Sequence, residues 1–179
     1  ITEMLSNKEF YLQNDGGITI SGGEALHQLD ACIELARRTH SNGLTVALDT
    51  TGLIPLEPNL ERLKELLGYV DCVLMDFKAG TDEMHSKLCK FKLERAKAFA
   101  KLCSDMGVEM WIRHVVLKHY NAEDDYDLKQ ILEFVKTLDT VTEFDLLPFH
   151  NFGSYKWEQC GIEYKCSDDN VPDESDMIR

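Results

Sequence analysis

Apolar positions recur along this chain in two alternating periods. Gly17-Ile18-Thr19-Ile20 is a short apolar run ending at Ser21-Gly22-Gly23-Glu24. Leu26, Leu29, Cys32, Ile33 and Ala36 follow at helical spacing, and Asn42-Gly43 closes that segment. Leu44 to Leu48 predicts a second strand, followed by Asp49-Thr50-Thr51-Gly52, and Leu60, Leu63, Leu67 and Val70 predict another helix. Asp71 to Met75 reads as a third strand that stops at Asp76-Phe77-Lys78. After a polar segment, Leu93, Ala96, Ala100, Cys103 and Met106 line one helical face closed by Gly107. Val108 to Val116 predicts a longer strand carrying Arg113 and His114. Leu128, Ile131, Leu132, Val135 and Leu138 mark the last clear helix, and Phe144 to Pro148 the last strand. Ile1 to Leu12 reads as the end of a helix that begins earlier.

Strands alternating with helices predict parallel β-α-β units, because parallel neighbours need a crossover connection. Right-handed crossovers then leave two architectures, an open doubly wound sheet or part of a barrel. In both, ligands sit at the carboxyl ends of the strands. Those ends carry Glu24, Asp49, Asp76 with Lys78, Arg113 with His114, and His150. Every predicted strand ends in a charged or titratable group, which points to one shared site.

Composition narrows the class of partner. Of 179 residues, 44% are apolar and 28% charged, a globular balance. With 19 Lys+Arg against 32 Asp+Glu the net charge is −13, which argues against nucleic acid as the main ligand. No apolar run approaches the roughly 20 residues that span a bilayer, so no membrane partner is expected. The cysteines Cys32, Cys72, Cys89, Cys103, Cys160 and Cys166 lack the spacing of a secreted disulfide scaffold, and several fall in core-like segments. Reduced thiols and a cytoplasmic location are the expectation.

Each motif has a chemical and a structural reading. The paired glycines of Ser21-Gly22-Gly23-Glu24 let a ligand approach the backbone, and Glu24 suits an ammonium group; equally, the segment is a tight turn with an acidic first helical turn. Asp49 and Thr50 offer hard oxygens for a cation, or a helix cap. Asp76 and Lys78 point to one side, so that Asp76 suits a ribose diol and Lys78 a carboxylate or phosphate. Alternatively the two pair with each other, or Lys78 forms a Schiff base. Arg113, within an apolar strand, needs an anionic neighbour or ligand. His150 follows Leu146-Leu147-Pro148-Phe149 and can stack on a planar ligand or serve the structure alone. Cys160 and Cys166 match no common metal site, and Glu123-Asp124-Asp125 reads as a solvated helix start.

The order and spacing of these motifs are more specific than any one of them. Phe10-Tyr11, Gly16 through Glu24, Leu48 through Gly52, Leu74-Met75-Asp76-Phe77-Lys78, Trp111-Ile112-Arg113 and Leu146 through His150 resemble the glycyl-radical-enzyme activating enzymes of the radical S-adenosylmethionine superfamily. Tyr155-Lys156-Trp157 and Gly161-Ile162-Glu163-Tyr164 extend the resemblance. It implies an α/β fold, a partial parallel β/α barrel of radical SAM type, with residues 1–179 forming one domain. It also implies S-adenosylmethionine held by Ser21, Gly22, Gly23, Glu24, Asp76, Phe77, Lys78 and His150, with Lys78 and Arg113 at the reacting end. Asp49, Thr50 and Asp76 match positions for a monovalent cation. The implied activity uses a 4Fe-4S cluster to generate a glycyl radical on a partner lyase such as pyruvate formate-lyase, with flavodoxin or ferredoxin as electron donor. No CxxxCxxC loop occurs in the sequence. The expectation is therefore a chain truncated at both ends, missing its first strand, with cluster ligands upstream of Ile1 and no activity alone. The alternative is a non-catalytic remnant that binds S-adenosylmethionine or a partner protein.

Overall fold

The computed structural model describes residues 2–13, 16–123 and 125–177. Two short helices, α1 (Thr2–Ser6) and α2 (Lys8–Leu12), precede β1 (Gly17–Ile20). A 3-10 turn, Ala25–Gln28, leads into α3 (Leu29–His40). Then follow β2 (Thr45–Thr50), α4 (Leu56–Leu67), β3 (Cys72–Asp76), α5 (Asp82–Cys89), α6 (Glu94–Asp105), β4 (Glu109–Val116), α7 (Tyr126–Val135) and β5 (Val141–Pro148). The chain closes with α8 (Ser154–Gln159), a 3-10 turn at Asp168–Asn170, and α9 (Glu174–Met177).

The five strands form one sheet in the order β1-β2-β3-β4-β5, every pair parallel. The sheet does not close on itself, as expected of a partial barrel. Side-chain alternation separates its two faces. Ile20, Leu48, Val73 and Met110 lie in one row across β1 to β4, all at most 6% exposed. Against this face pack Cys32, Ile33 and Ala36 of α3, Leu63, Leu66 and Leu67 of α4, and Ala96, Phe99, Ala100 and Cys103 of α6. The other face carries Asp49, Leu74, Trp111 and Glu143 in one row, and Asp76, Arg113 and Asp145 in the next. None of these is buried. One face therefore makes the core, and the other is left to polar chemistry.

The predicted elements return with shifted ends. β5 begins at Val141, earlier than the apolar run suggested, through a bulge near Met110 and Trp111. The polar segment after Lys78 contains a helix, α5, that no apolar stripe announces. Among its residues His85 is the buried one, and Thr81 caps it by accepting from the Met84 N–H at 3.2 Å. Residues 2–12 form two short helices rather than one. In the acidic run at the start of α7, Asp125 occupies the N-cap position, and Asp124 lies outside the described residues.

Candidate functional site

The strand ends converge because β3 is short. Its last residue, Asp76, pairs in register with Arg113, which lies before the end of β4. The Arg113 guanidinium leans across β3, and Nη2 donates to Asp49 Oδ1 at 2.5 Å and to Asp76 Oδ2 at 3.3 Å. Lys78 Nζ donates to the same Asp76 Oδ2 at 3.1 Å, while Ser21 Oγ donates to Asp49 Oδ2 at 3.4 Å. A polar chain thus runs from Ser21 through Asp49, Arg113 and Asp76 to Lys78. Two carboxylates face two cations, with side chains between 18% and 33% exposed. That balance of sign offsets the cost of drawing four charges part-way out of water. Arg113 Nε is buried and has no hydrogen-bond partner among the described residues.

Glu24 anchors the neighbouring loop. Its Oε1 accepts from the Leu26 N–H at 3.1 Å and from Thr50 Oγ1 at 2.5 Å, and its Oε2 accepts from Thr51 N–H at 2.9 Å and Thr51 Oγ1 at 2.5 Å. Burial works against the carboxylate charge, yet these four bonds outweigh it and hold the Glu24 pKa below the ordinary value. The protein fills these acceptor positions. What the loop leaves open is backbone: Gly22 takes φ +153°, and a Cβ added at Gly22 or Gly23 would meet nothing within 4 Å.

Beside Lys78 lies a cleft of about 670 Å³, lined mainly by apolar groups that include Val115, Leu147, Pro148, Phe149 and Trp157, with His150 on its wall. The exposed His150 ring stacks obliquely on Phe152, with centroids 4.7 Å apart. Cys89 also lines the cleft; burial pushes its thiol pKa up, and Asp76 adds to that while Lys78 opposes it.

Ser21, Asp49, Arg113, Asp76 and Lys78 are thus joined by direct side-chain contacts, Glu24 and Thr50 bond to each other in the adjoining loop, and His150 shares the cleft with Lys78. Two expected members sit elsewhere. The Phe77 ring is 1% exposed and packs edge-on against Phe134 at 5.7 Å, so Phe77 reaches the site through its backbone alone. His114 alternates with Arg113 and therefore points to the covered face, 1% exposed, where its Nδ1 donates to the Phe77 carbonyl at 2.7 Å. Burial lowers its pKa from the ordinary value. Conversely, the sequence reading passed over Asn121 and Asp127, which bond the backbone around Lys78. Their polar identity in a loop and a helix start carried no signal.

For the cation expected at Asp49, Thr50 and Asp76, the positive charge between the two carboxylates is the Arg113 guanidinium. No group of three or more His, Cys, Asp or Glu that could hold a metal ion occurs among the described residues. The six cysteines are all free and dispersed through α3, β3, α5, α6 and the segment after α8. They do not form the ligand set of an iron–sulfur cluster. No helix among the described residues is long and apolar enough to cross a membrane.

The model of the Radical SAM superfamily matches residues 8–134. The pyruvate formate-lyase-activating enzyme of Staphylococcus epidermidis (strain ATCC 12228 / FDA PCI 1200) is 34% identical over 176 residues, 97% of this chain and 70% of that one. A crystal structure of a domain of pyruvate-formate lyase-activating enzyme from Bacteroides vulgatus ATCC 8482 matches with a TM-score of 0.70 at 24% identity, over 90% of this chain and 88% of that one. Streptococcus suis SuiB bound to S-adenosylmethionine shares the fold at a TM-score of 0.58 and 15% identity, over 72% of this chain and 28% of SuiB. The chain belongs to the radical SAM superfamily, among the relatives of the pyruvate formate-lyase-activating enzymes.

Proposed function

We propose that this chain supplies the S-adenosylmethionine-binding face of an activase that installs a glycyl radical on a partner lyase such as pyruvate formate-lyase. The observation that carries the reading is the polar chain from Ser21 to Lys78 running into an apolar cleft walled by His150. A nucleoside sulfonium with an amino-acid tail asks for those surroundings: a planar group to meet the base, a carboxylate for the ribose diol, a cation for the tail carboxylate, and open backbone for the amino group. His150 with Leu147 and Pro148 answers the first, Asp76 the second, Lys78 the third, and Gly22-Gly23 the last. Glu24 keeps the glycine loop in shape through its bonds to Thr50 and Thr51. Arg113, held by Asp49 and Asp76, would face the reacting end.

S-adenosylmethionine, which Gly22, Gly23, Asp76, Lys78 and His150 would hold, would supply radical chemistry when bound, and no residue of this chain is assigned to the 4Fe-4S cluster that such chemistry would use. What the chain contributes is orientation. The ion pairs of Arg113 fix Asp49 and Asp76 across three strands, and the apolar walls exclude water from the base. Because Arg113 and Lys78 together balance Asp49 and Asp76, this reading needs no monovalent cation there; Asp49, Thr50 and Asp76 would hold one only with Arg113 turned away.

The test is calorimetric titration of S-adenosylmethionine against the wild-type chain and the Asp76→Ala, Lys78→Ala and His150→Ala variants. Each variant is expected to bind about tenfold more weakly or worse, as when a charged or stacked anchor is truncated. Thermal midpoints are expected to move by only a few degrees, about the size of a surface or site substitution. Parallel losses of affinity and midpoint would make these groups structural. Tight binding with no reductive cleavage in any form of the protein that carries a cluster would favour the non-catalytic reading, which the dispersed cysteines motivate.

A further inference from the structure

Lys78 stands on a short stretch of chain, residues 77–81, whose backbone is tied down from three directions. From β4, the Phe77 N–H donates to the Arg113 carbonyl at 2.9 Å, and the Phe77 carbonyl accepts from His114 Nδ1 at 2.7 Å. From the loop after β4, Asn121 Nδ2 donates to the Val115 carbonyl at 2.9 Å and reaches the Lys78 carbonyl at 3.5 Å, while Asn121 Oδ1 accepts from the Leu117 N–H at 2.7 Å. From α7, Asp127 Oδ2 accepts from the Gly80 N–H at 2.8 Å, and Oδ1 accepts from both the N–H and the hydroxyl of Thr81 at 3.0 Å. His114 is 1% exposed and Asn121 and Asp127 each 5%, so the side chains that make these bonds are withdrawn from water.

Polar side chains are rarely buried so deeply without a task. These three bond main-chain atoms of one segment or of the strand end beside it, although they come from positions up to 47 residues away in the chain. Packing closes the same segment: Ala79 is fully buried, and a Cβ on Gly80 would lie 1.9 Å from the Asp127 carbonyl oxygen. An ordinary strand-to-helix loop does not need such restraint. A loop that must present an ammonium group and a carboxylate to one ligand does, because small displacements of a binding group cost much of its effect.

We infer that His114, Asn121 and Asp127 are positioning residues that hold Lys78, and with it Asp76, in the geometry that receives the carboxylate and ribose of S-adenosylmethionine. The inference rests on the cofactor roles given above to Asp76 and Lys78. None of the three touches the ligand; each acts through the backbone of residues 77–81.

The test uses the full chain and S-adenosylmethionine itself. Asp127→Asn keeps shape but sets an amide group against a backbone donor. It is expected to weaken binding about tenfold, the loss typical of groups that orient a ligand-binding residue. Amide exchange at Gly80 and Thr81 is expected to accelerate in the same variant. His114→Phe removes the donor to Phe77, whereas His114→Asn retains one at the Nδ1 position and is expected to recover most of the affinity. This pair also decides the matter should Asp127→Asn fail to fold. Ile33→Val, a core change in α3, is the control for general destabilisation. Wild-type affinity in Asp127→Asn and His114→Phe would overturn the clamp while leaving Lys78→Ala to report on the site. An equal loss in Ile33→Val, or no recovery in His114→Asn, would also overturn it. Wild-type affinity in Lys78→Ala would remove the cofactor reading, and the clamp with it.

Discussion

Glu24 keeps its charge in a half-buried loop because four donors converge on one carboxylate, and this has a consequence for acid stability. Its folded pKa is depressed, so its contribution is fully present above the ordinary value of 4.5 and is lost as pH falls through the lower folded value. In that window the unfolded chain binds a proton that the folded chain refuses. Glu24→Gln is therefore expected to lower stability near neutral pH by about 1–2 kcal/mol, the worth of charged hydrogen bonds at a partly buried site. It should also flatten the acid limb of a plot of urea midpoint against pH. A variant profile that runs parallel to wild type down to the most acid point would count against this account. The mid-strand Arg113 guanidinium is tolerated because Asp49 and Asp76 both face it.

At the level of elements, the loops after β1 and β3 do opposite things with glycine. Gly23 borders open space, so Gly23→Ala is expected to change stability by no more than about 0.5 kcal/mol, as for a substitution that meets no neighbour. Binding of S-adenosylmethionine should nevertheless weaken, because the new methyl stands where the ligand must approach. Gly80 is pressed against α7, and Gly80→Ala is expected to cost about 2 kcal/mol or more through a forced backbone shift. Differential scanning fluorimetry with and without ligand separates the two outcomes, and equal midpoint losses would sink the contrast. The strand–helix alternation was legible because apolar periodicity is local. Helix α5 was not, since most of its residues are polar or exposed and its order comes from the Thr81 cap, acidic residues in its first turn and the left-handed Lys90 at its end.

Taken whole, the molecule carries thirteen more acidic than basic side chains, a net charge of −13. Self-repulsion of that size opposes the compact state, and salt screens it over about 10 Å at 0.1 M. The thermal midpoint is therefore expected to rise when sodium chloride goes from about 0.01 M to about 0.15 M, a change over which screening of exposed charges becomes effective. A fall would mean that attractive pairs such as those of Arg113 dominate the electrostatics. The open sheet also distributes roles between its faces. Apolar rows on one face are covered by helices, and the other carries Asp49, Asp76, Arg113 and Asp145. Read alone, the amino-acid order determined the parallel α/β architecture, the positions of the strand ends and the residue types gathered there, because period and turn chemistry are written over a few neighbours. Tertiary structure decided which of those groups meet. It set Arg113 level with Asp76 through the length of β3, and turned His114 and the Phe77 ring into the core by the alternation of side chains. It also brought Asn121 and Asp127 under Lys78 from distant segments. Register and long-range hydrogen bonding depend on how strands and helices pack, and no local pattern encodes them.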